Sequence, residues 1–281
     1  MAPSYTPGQR TSISQFVSFT QSKESIAAKH LKNHGWNVEQ AIDAFYQSGA
    51  AGNTSISATH QNLSKLFDKY RDQPKEQPDR IGIEGAQKYL NDLRVGLEEL
   101  VHLAICELLQ PISVGEFTRD KFISGWKSAD KAGTNQSYDN IKAQGEYVKT
   151  LRKQLQTDRS YLKQVYRYTF NLARPEGQKN VPVDAALDFW KMFFDADKGG
   201  IEWNSDSTPW LDWWLEYYET KYKRPANKDL WNMVGELVNK TAEPGGENMV
   251  WWSEDGAWPM AVDEFVAFVK EKRGDVVMDT S

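Results

Sequence analysis

One segment near the end of the chain reads Trp251-Trp252-Ser253-Glu254-Asp255-Gly256-Ala257-Trp258-Pro259-Met260-Ala261-Val262-Asp263-Glu264-Phe265-Val266-Ala267-Phe268. Its tryptophans and its Gly-Ala-Trp-Pro sequence indicate a rigid turn, and the apolar residues after Pro259 recur at helical spacing. In this arrangement Ala257 and Asp263 face outward. The segment therefore predicts a small acidic surface that tryptophans hold in place.

Apolar residues recur at the spacing of amphipathic helices along most of the chain. Three such helices are predicted in residues 10–49, with Ser22 and Asn37 as candidate N-caps, and they would form a small bundle. The small, polar residues 50–60 predict a linker. Nearly all of residues 61–272 is helical by pattern. We therefore expect an all-α protein, with a three-helix bundle followed by a larger helical domain.

Two short segments interrupt the helices of the larger domain and resemble β-strands, namely Arg80-Ile81-Gly82-Ile83 and Val114-Gly115-Glu116-Phe117. Each lies between two predicted helices, as the strand of an EF-hand does. Calcium in an EF-hand needs oxygen ligands at loop positions one, three, five and twelve. The sequence therefore predicts two EF-hand-like motifs that lack calcium ligands. With Ile81 or Phe117 at the apolar eighth position, the ligand positions hold Pro74, Glu76, Pro78 and Gly85 in the first loop and Gln110, Ile112, Val114 and Lys121 in the second.

The composition limits the classes of protein to which this chain could belong. The 281 residues are 40% hydrophobic and carry a net charge of −5, which is typical of a globular protein and a poor match to a nucleic-acid-binding one. No apolar run reaches the roughly 18 residues of a membrane span, and no signal peptide is recognisable. We therefore expect an intracellular protein that binds neither nucleic acid nor a membrane.

No motif for a metal, a cofactor or a catalytic centre is recognisable in the sequence. His30 and His34 have i, i+4 spacing but no third ligand nearby, and Cys106 is the only cysteine. Cys106 lies in an apolar helical segment, which favours a core or pocket-lining side chain over a catalytic thiolate. Carboxylates beside tryptophans, such as Glu202 and Asp212, leave a glycosidase as an alternative. Because the surrounding aromatic residues recur at helical spacing, a packed core is the favoured explanation.

An ordered set of motifs along nearly the whole chain resembles the defective-in-cullin-neddylation family, in its fungal form. Any single motif is weak, but the set and its order are specific. The resemblance implies a bundle of the ubiquitin-associated (UBA) type at residues 10–49 and a potentiating-neddylation (PONY) domain at 61–272. The motifs are Gln15-Phe16-Val17-Ser18-Phe19-Thr20-Gln21, His34-Gly35-Trp36-Asn37, Ala41-Ile42-Asp43-Ala44-Phe45-Tyr46, Ile81-Gly82-Ile83, Gly115-Glu116-Phe117, Tyr168-Thr169-Phe170-Asn171-Leu172-Ala173, Gly177-Gln178-Lys179, Asp229-Leu230-Trp231-Asn232 and Glu254-Asp255-Gly256-Ala257-Trp258-Pro259.

The resemblance implies a scaffold-type co-ligase without catalytic residues of its own. Such a protein promotes neddylation, the transfer of a ubiquitin-like modifier from its conjugating enzyme to a cullin lysine, by binding both proteins. This agrees with the single cysteine, because a RING ligase needs about eight Cys and His zinc ligands and a thioester-forming ligase needs a reactive thiol. The implied partners are the C-terminal winged-helix region of a cullin and the N-terminally acetylated conjugating enzyme. We expect a monomer in the nucleus and cytoplasm.

The resemblance places a cullin-binding patch on Asp229, Ala257 and Asp263. In the family this patch docks the basic winged-helix region of the cullin. Each residue also has an ordinary explanation. Asp229 follows Asn227 at a predicted helix start, where a carboxylate stabilises the helix dipole, Asp263 could be a solvated helical position, and Ala257 could simply need to be small.

The resemblance also implies an apolar pocket for the acetylated N-terminal methionine of the conjugating enzyme. Acetylation removes a charge that would be costly to bury, so an apolar pocket can recognise the modification. A plain core is the alternative explanation for each residue. The matching positions are Ile83, Ala86, Leu103, Ile105, Cys106, Phe117, Leu172, Phe189 and Met192.

The N-terminal bundle of the family resembles ubiquitin-binding modules. Its implied contacts with ubiquitin are Phe19, Thr20, Phe45 and Tyr46, although Phe45 could equally belong to the core. An alternative function follows from this resemblance. The chain would then be a ubiquitin-binding adaptor with a degenerate EF-hand-like helical domain and no role in transfer.

Overall fold

A computed structural model describes residues 5–20, 22–47, 58–113, 115–129 and 137–274. The chain is 67% helical, with thirteen α-helices and one small two-stranded sheet in the described residues. The predicted all-α class is therefore confirmed. None of the described helices has both the length and the apolar character of a membrane span.

The chain divides into two compact units, Met1–Lys65 and Leu66–Ser281. The predicted linker at 50–60 lies mostly outside the described residues, and its last three residues already belong to the helix α4 (Ala58–Lys69). The predicted domain bounds of 10–49 and 61–272 stay a prediction.

The first unit contains a three-helix bundle around a compact apolar core. Asn37 caps its third helix as predicted, with Oδ1 accepting a hydrogen bond from the Gln40 backbone N–H at 3.1 Å. The predicted cap at Ser22 is wrong, because the second helix begins after Lys23 and the Ser22 hydroxyl accepts from Thr20 at 2.9 Å instead. The helices are α1 (Pro7–Thr20), α2 (Glu24–Asn33) and α3 (Val38–Gln47), and the buried core residues are Ile13, Phe16, Ala27, Ala28, Leu31, Ala41 and Phe45.

Helix, loop, short strand and helix follow one another twice in the next part of the chain. The two strands are antiparallel partners, with Arg80 opposite Thr118 and Ile81 opposite Phe117. The first predicted strand is present in shorter form, at Arg80–Ile81, whereas the second overlaps its prediction only at Phe117 and extends to Thr118. The EF-hand-like identification of the surrounding motifs stays a prediction. The elements are α4 (Ala58–Lys69), β1 (Arg80–Ile81), α5 (Ile83–Asp92), α6 (Leu100–Leu109), β2 (Phe117–Thr118) and α7 (Arg119–Ala129).

The loop before β1 is held together by a cationic side chain from α7. The Arg119 guanidinium donates to Asp68 Oδ1 at 2.7 Å, to Asp79 Oδ1 at 2.6 Å and to the Pro78 carbonyl at 2.8 Å. The same group lies 4.6 Å from the centre of the Phe67 ring, within the range of a cation–π contact. Arg119 thus supplies positive charge to this loop. Among the described side chains, no three acidic, histidine or cysteine groups lie together as a metal site would require.

The remaining helices pack around an aromatic core. Tyr166 stacks on Trp231 with ring centroids 4.9 Å apart, and its hydroxyl donates to the Trp231 carbonyl at 2.6 Å and accepts from Trp190 Nε1 at 3.0 Å. Trp214 contacts Trp190 edge to face at 5.3 Å. The prediction that the aromatic-rich region fills a core is confirmed. The helices are α8 (Ile141–Thr157), α9 (Arg159–Ala173), α10 (Val183–Phe194), α11 (Trp210–Tyr217), α12 (Lys228–Ala242) and α13 (Met260–Arg273), and one π-helical turn, Tyr218–Tyr222, follows α11.

Candidate functional site

Asp229 lies exposed in the first turn of α12. The helix begins after Asn227, whose Oδ1 accepts from the Leu230 backbone N–H at 2.8 Å. This cap satisfies one of the free N–H groups of the first turn, so Asp229 is not needed as the capping residue. Its carboxylate is therefore available to a partner while the helix dipole stabilises its negative charge.

Ala257 lies exposed in the turn between α12 and α13. Two tryptophans hold this turn. Trp251 contacts Trp258 edge to face, with centroids 5.1 Å apart, and its Nε1 donates to the Gly246 carbonyl at 3.0 Å. A methyl group on Gly256 would lie 2.8 Å from the Ser253 carbonyl oxygen, which explains the glycine before Ala257. The turn therefore presents a small side chain on a rigid base.

Asp263 lies half-buried in the first turn of α13. Its Oδ1 accepts a hydrogen bond from Trp252 Nε1 at 2.9 Å. The ammonium group of Lys270 lies over the same tryptophan, 4.4 Å from the ring centre. Trp252 thus fixes the direction of the carboxylate, and Asp263 is more than a solvated helical position.

The tertiary fold brings the elements that carry these three residues together. Helices α12 and α13 pack against each other. The turn of residues 251–259, which we call the tryptophan turn, leads directly into α13. We refer to Asp229, Ala257 and Asp263 as the acidic patch. Ala257 and Asp263 are six positions apart in the chain, whereas Asp229 comes from the neighbouring helix α12.

Glu247 anchors the loop that precedes the tryptophan turn. Its carboxylate accepts from Thr208 Oγ1 at 2.7 Å, Trp210 Nε1 at 3.0 Å and Arg273 Nη2 at 3.0 Å. Partial burial acts to raise the pKa of Glu247, but the hydrogen bonds outweigh it and lower the pKa to about 2. Glu247 therefore remains ionised down to acidic pH and ties residues 243–250 to α11 and α13.

Five of the nine predicted pocket residues belong to the core. Each is at most 2% exposed, so in this structure these side chains fill the interior and do not line an open pocket. Burial raises the pKa of the Cys106 thiol to about 12, so this cysteine stays neutral. This placement agrees with the core explanation for these positions. The five are Ala86, Leu103, Ile105, Cys106 and Phe117.

The other four predicted pocket residues are accessible but lie in different places. Ile83, the first residue of α5, is 67% exposed, and a methyl group on Gly115 would lie 3.8 Å from its Cγ1. Phe189 and Met192 are half-buried on α10. The ring centroids of Phe189 and Trp231 are 6.3 Å apart. Leu172 is half-buried near the end of α9 and lines an open groove.

This groove of about 940 Å³ lies between the end of α6 and the end of α9. Ile112 on its rim is 64% exposed, and Tyr168 lies within it. Burial and the neighbouring Cys106 and Glu107 raise the pKa of Tyr168, so its hydroxyl is a neutral hydrogen-bonding group. The motif around Tyr168 was a signal for this site, but the sequence did not indicate Ile112. The groove is lined by Gln110, Pro111, Ile112, Ser113, Tyr168, Asn171, Leu172, Ala173, Arg174, Pro175, Glu176, Gly177 and Gln178.

The predicted ubiquitin contacts separate into surface and core. Phe19 is 69% exposed near the end of α1, and the neighbouring Thr20 hydroxyl donates to the Phe16 carbonyl at 2.7 Å. Phe45 is 1% exposed, and its ring centroid lies 5.4 Å from that of Phe16. The prediction that Phe45 is an accessible ubiquitin contact is therefore wrong, and Phe45 is a core residue. The side chain of Tyr46 lies outside the described part of the structure.

Two family models match this chain. The UBA-like domain matches residues 10–52, which include all of α2 and α3. The cullin binding family matches residues 143–268, which include α9 to α12 and all three residues of the acidic patch.

Proteins similar along nearly the whole chain carry the name defective in cullin neddylation protein 1. The protein of Yarrowia lipolytica is 32% identical over 92% of this chain and 96% of its own length. Those of Pyricularia oryzae and Cryptococcus neoformans are each 30% identical, over 95% and 93% of this chain and over 95% and 94% of their own lengths. All three are fungal, as the resemblance predicted. The chain therefore belongs to the defective in cullin neddylation protein 1 family.

Proposed function

We propose that this protein promotes cullin neddylation by binding a cullin and the conjugating enzyme at once, without a catalytic group of its own. The observation that carries the proposal is the acidic patch, whose two aspartates lie in the first turns of two packed helices within the region that matches the cullin binding family. The family names of the relatives support the same role. The proposed occupant of the patch is the basic C-terminal winged-helix region of the cullin.

The groove between α6 and α9 is the proposed site for the acetylated N-terminus of the conjugating enzyme. It combines the exposed Ile112 and the half-buried Leu172 with the neutral hydroxyl of Tyr168. An acetylated methionine has no N-terminal charge, so it could enter such a groove without the cost of burying an ammonium group. Of the nine pocket residues that the resemblance implied, Leu172 is the one that lines this groove. The other eight are not part of the proposed site.

Binding both proteins is sufficient to accelerate transfer. A scaffold that holds the loaded enzyme beside the acceptor lysine raises their effective concentration and restricts their relative orientation. Such effects contribute several kcal/mol to a bimolecular reaction without any acid, base or nucleophile from the scaffold. The neutral, buried thiol of Cys106 agrees with this mechanism.

A reconstituted transfer assay tests the proposal. The full chain should raise the rate at which a cullin is modified, and the double variant Asp229→Lys, Asp263→Lys should lose most of this stimulation because it places two cations opposite a basic partner. Asp120→Lys is the matched control, since Asp120 is also an exposed aspartate in the first turn of a helix, α7, and lies in neither site. Full stimulation by the double variant would refute the patch assignment.

A peptide-binding measurement tests the groove. A peptide from the conjugating enzyme should bind more tightly with an N-acetyl group than with a free amine. Ile112→Glu should remove this preference because it places a charge on the rim of the groove. Leu97→Glu is the control, because Leu97 is 53% exposed and does not line the groove. Equal binding of the two peptides to the parent protein would count against the groove.

We propose ubiquitin binding by the N-terminal bundle as a second activity. The observation that favours it is Phe19, a large apolar side chain that is 69% exposed within the match to the UBA-like domain. Phe19→Ala should weaken binding to ubiquitin while leaving the transfer assay unchanged. Binding of ubiquitin that does not respond to this substitution would exclude Phe19 as a contact.

A further inference from the structure

The segment that contains the tryptophan turn is acidic throughout and also exposes two apolar side chains. Between Lys240 and Lys270 the chain has no lysine or arginine. Val250, just before the turn, is 73% exposed, and Met260, just after it, is 50% exposed. The six acidic residues of the segment are Glu243, Glu247, Glu254, Asp255, Asp263 and Glu264.

Val250 is linked to Ala257 through a pair of tryptophans. The next residue, Trp251, contacts Trp258 edge to face at 5.1 Å. Trp258 directly follows Ala257 in the chain. Val250 and Ala257 are therefore the exposed neighbours of two tryptophans that touch each other.

Met260 lies between two members of the acidic patch in the chain. It is the first residue of α13, three positions after Ala257 and three before Asp263. Residues three apart on a helix share one face, so Met260 and Asp263 are neighbours on the surface of α13. The exposed thioether side chain thus adjoins a carboxylate that Trp252 holds in a fixed direction.

The loop that carries Val250 is anchored at several points. Glu247 binds Thr208, Trp210 and Arg273. Gly245 has a φ of +82°, and a methyl group built on it would lie 3.2 Å from Val250 Cγ2, so the valine packs over the glycine. The loop that carries Val250 is therefore held in place by these contacts.

We propose that Val250 and Met260 form an apolar contact site at the edge of the acidic patch, and that the cullin segment docking there carries an aliphatic or aromatic side chain among its basic ones. The inference rests on the proposed function and adds an apolar determinant to it. Opposite charges give salt-dependent attraction and steer the encounter, whereas buried apolar area gives affinity that salt does not screen. A surface with an acidic rim and two exposed apolar side chains is complementary to a partner that is basic and apolar together.

The test measures the affinity of the full chain for a purified C-terminal winged-helix region of a cullin, at low and at high salt. The double variant Val250→Thr, Met260→Gln keeps the size of both side chains and removes their apolar character. It should weaken binding about tenfold at both salt concentrations, as loss of an interface anchor does, with the salt dependence unchanged. The conservative variant Val250→Ile, Met260→Leu should bind like the parent. Leu97→Gln is the control for an exposed apolar residue elsewhere.

Two outcomes would overturn the inference, and they separate it from the proposed function. If Val250→Thr, Met260→Gln binds like the parent while Asp229→Lys, Asp263→Lys does not bind, the apolar site is absent and the acidic patch stands. If the parent protein itself does not bind the winged-helix region, the proposed function and the inference fail together. Melting curves of each variant confirm that it is folded, which is expected because both substituted residues are exposed.

Discussion

At the scale of single residues, the Asp263 carboxylate is oriented by a neighbour that is eleven positions away in the chain. Trp252 Nε1 donates to Asp263 Oδ1 at 2.9 Å. A free carboxylate would sample several rotamers, and a partner would have to order it on binding. The hydrogen bond orders the group in advance, which makes Trp252 a positioning residue for the acidic patch.

Trp252→Phe should weaken cullin binding without changing the charge of the patch. The phenylalanine keeps an aromatic ring but cannot donate the hydrogen bond, a loss of about 1 kcal/mol. Binding of the winged-helix region, measured for Trp252→Phe, Asp263→Asn and the double variant, checks the coupling. The two effects should be non-additive. Additive effects would show that the tryptophan acts independently of Asp263.

Gly85 is required by a close approach of two backbones. A methyl group on Gly85 would lie 1.8 Å from the Tyr70 carbonyl oxygen, so Gly85→Ala must displace α5. We expect the free energy of unfolding to fall by about 2 to 4 kcal/mol. Gly145 in α8 has no atom within 4 Å of the same position, so Gly145→Ala should raise it by about 0.5 to 1 kcal/mol. Chemical denaturation of both variants checks the pair, and equal effects would contradict this account.

At the scale of elements, residues 243–250 are expected to respond to pH through Glu247. Its pKa in the folded protein is about 2, below the ordinary value of 4.5. The ionised carboxylate therefore stabilises the fold above pH 4.5, and this contribution is lost as the pH falls from about 4.5 to about 2. Glu247→Gln should lower stability at neutral pH and reduce the loss of stability over that acidic range.

Melting curves between pH 2 and pH 7 measure this effect. Glu254→Gln is the control, because it removes an exposed carboxylate from the neighbouring turn. If the two variants follow the same stability curve, the network around Glu247 does not anchor the loop.

The stability of the loop before β1 should depend on Arg119. The guanidinium joins Asp68, Asp79 and the Pro78 carbonyl. Because the two carboxylates are 42% and 74% exposed, solvent screens much of the attraction. Arg119→Met should lower the free energy of unfolding by about 1 to 2 kcal/mol through the loss of charge-assisted hydrogen bonds. Lys179→Met, at an exposed lysine, is the control, and equal melting temperatures of the two variants would contradict the role of Arg119.

At the scale of the whole molecule, the chain has two compact units, and the acidic patch and the groove both belong to the second. A fragment without the N-terminal bundle, beginning at Ala58 to keep α4 intact, should therefore still stimulate cullin modification. The reconstituted assay measures this, with circular dichroism to show that the fragment is helical. Loss of stimulation by a folded fragment would assign the bundle an essential role.

The helix positions of Asp229 and Asp263 were easier to predict from the sequence than the burial of the pocket residues. Asp229 and Asp263 follow recognisable helix starts, and helix starts depend on local hydrogen bonds that a few neighbouring residues determine. Leu103, Ile105 and Cys106 lie on an apolar helix, and apolar periodicity shows which face is buried without showing what covers it. That information comes from distant parts of the chain, such as α9, which packs against the helix α6 that carries these residues.

The sequence by itself determined the all-α class, the first short strand and the aromatic core, and it placed Asp229 and Asp263 in the first turns of two helices. These features follow from spacing and from side chains close in the chain, or from the ordered family motifs. Only the tertiary structure decided that Phe45 is a core residue, that the open groove lies at Ile112 and Leu172, and that Glu247 anchors the loop beside the patch. Burial and hydrogen bonding at these positions depend on contacts between residues far apart in the chain, which local patterns do not specify.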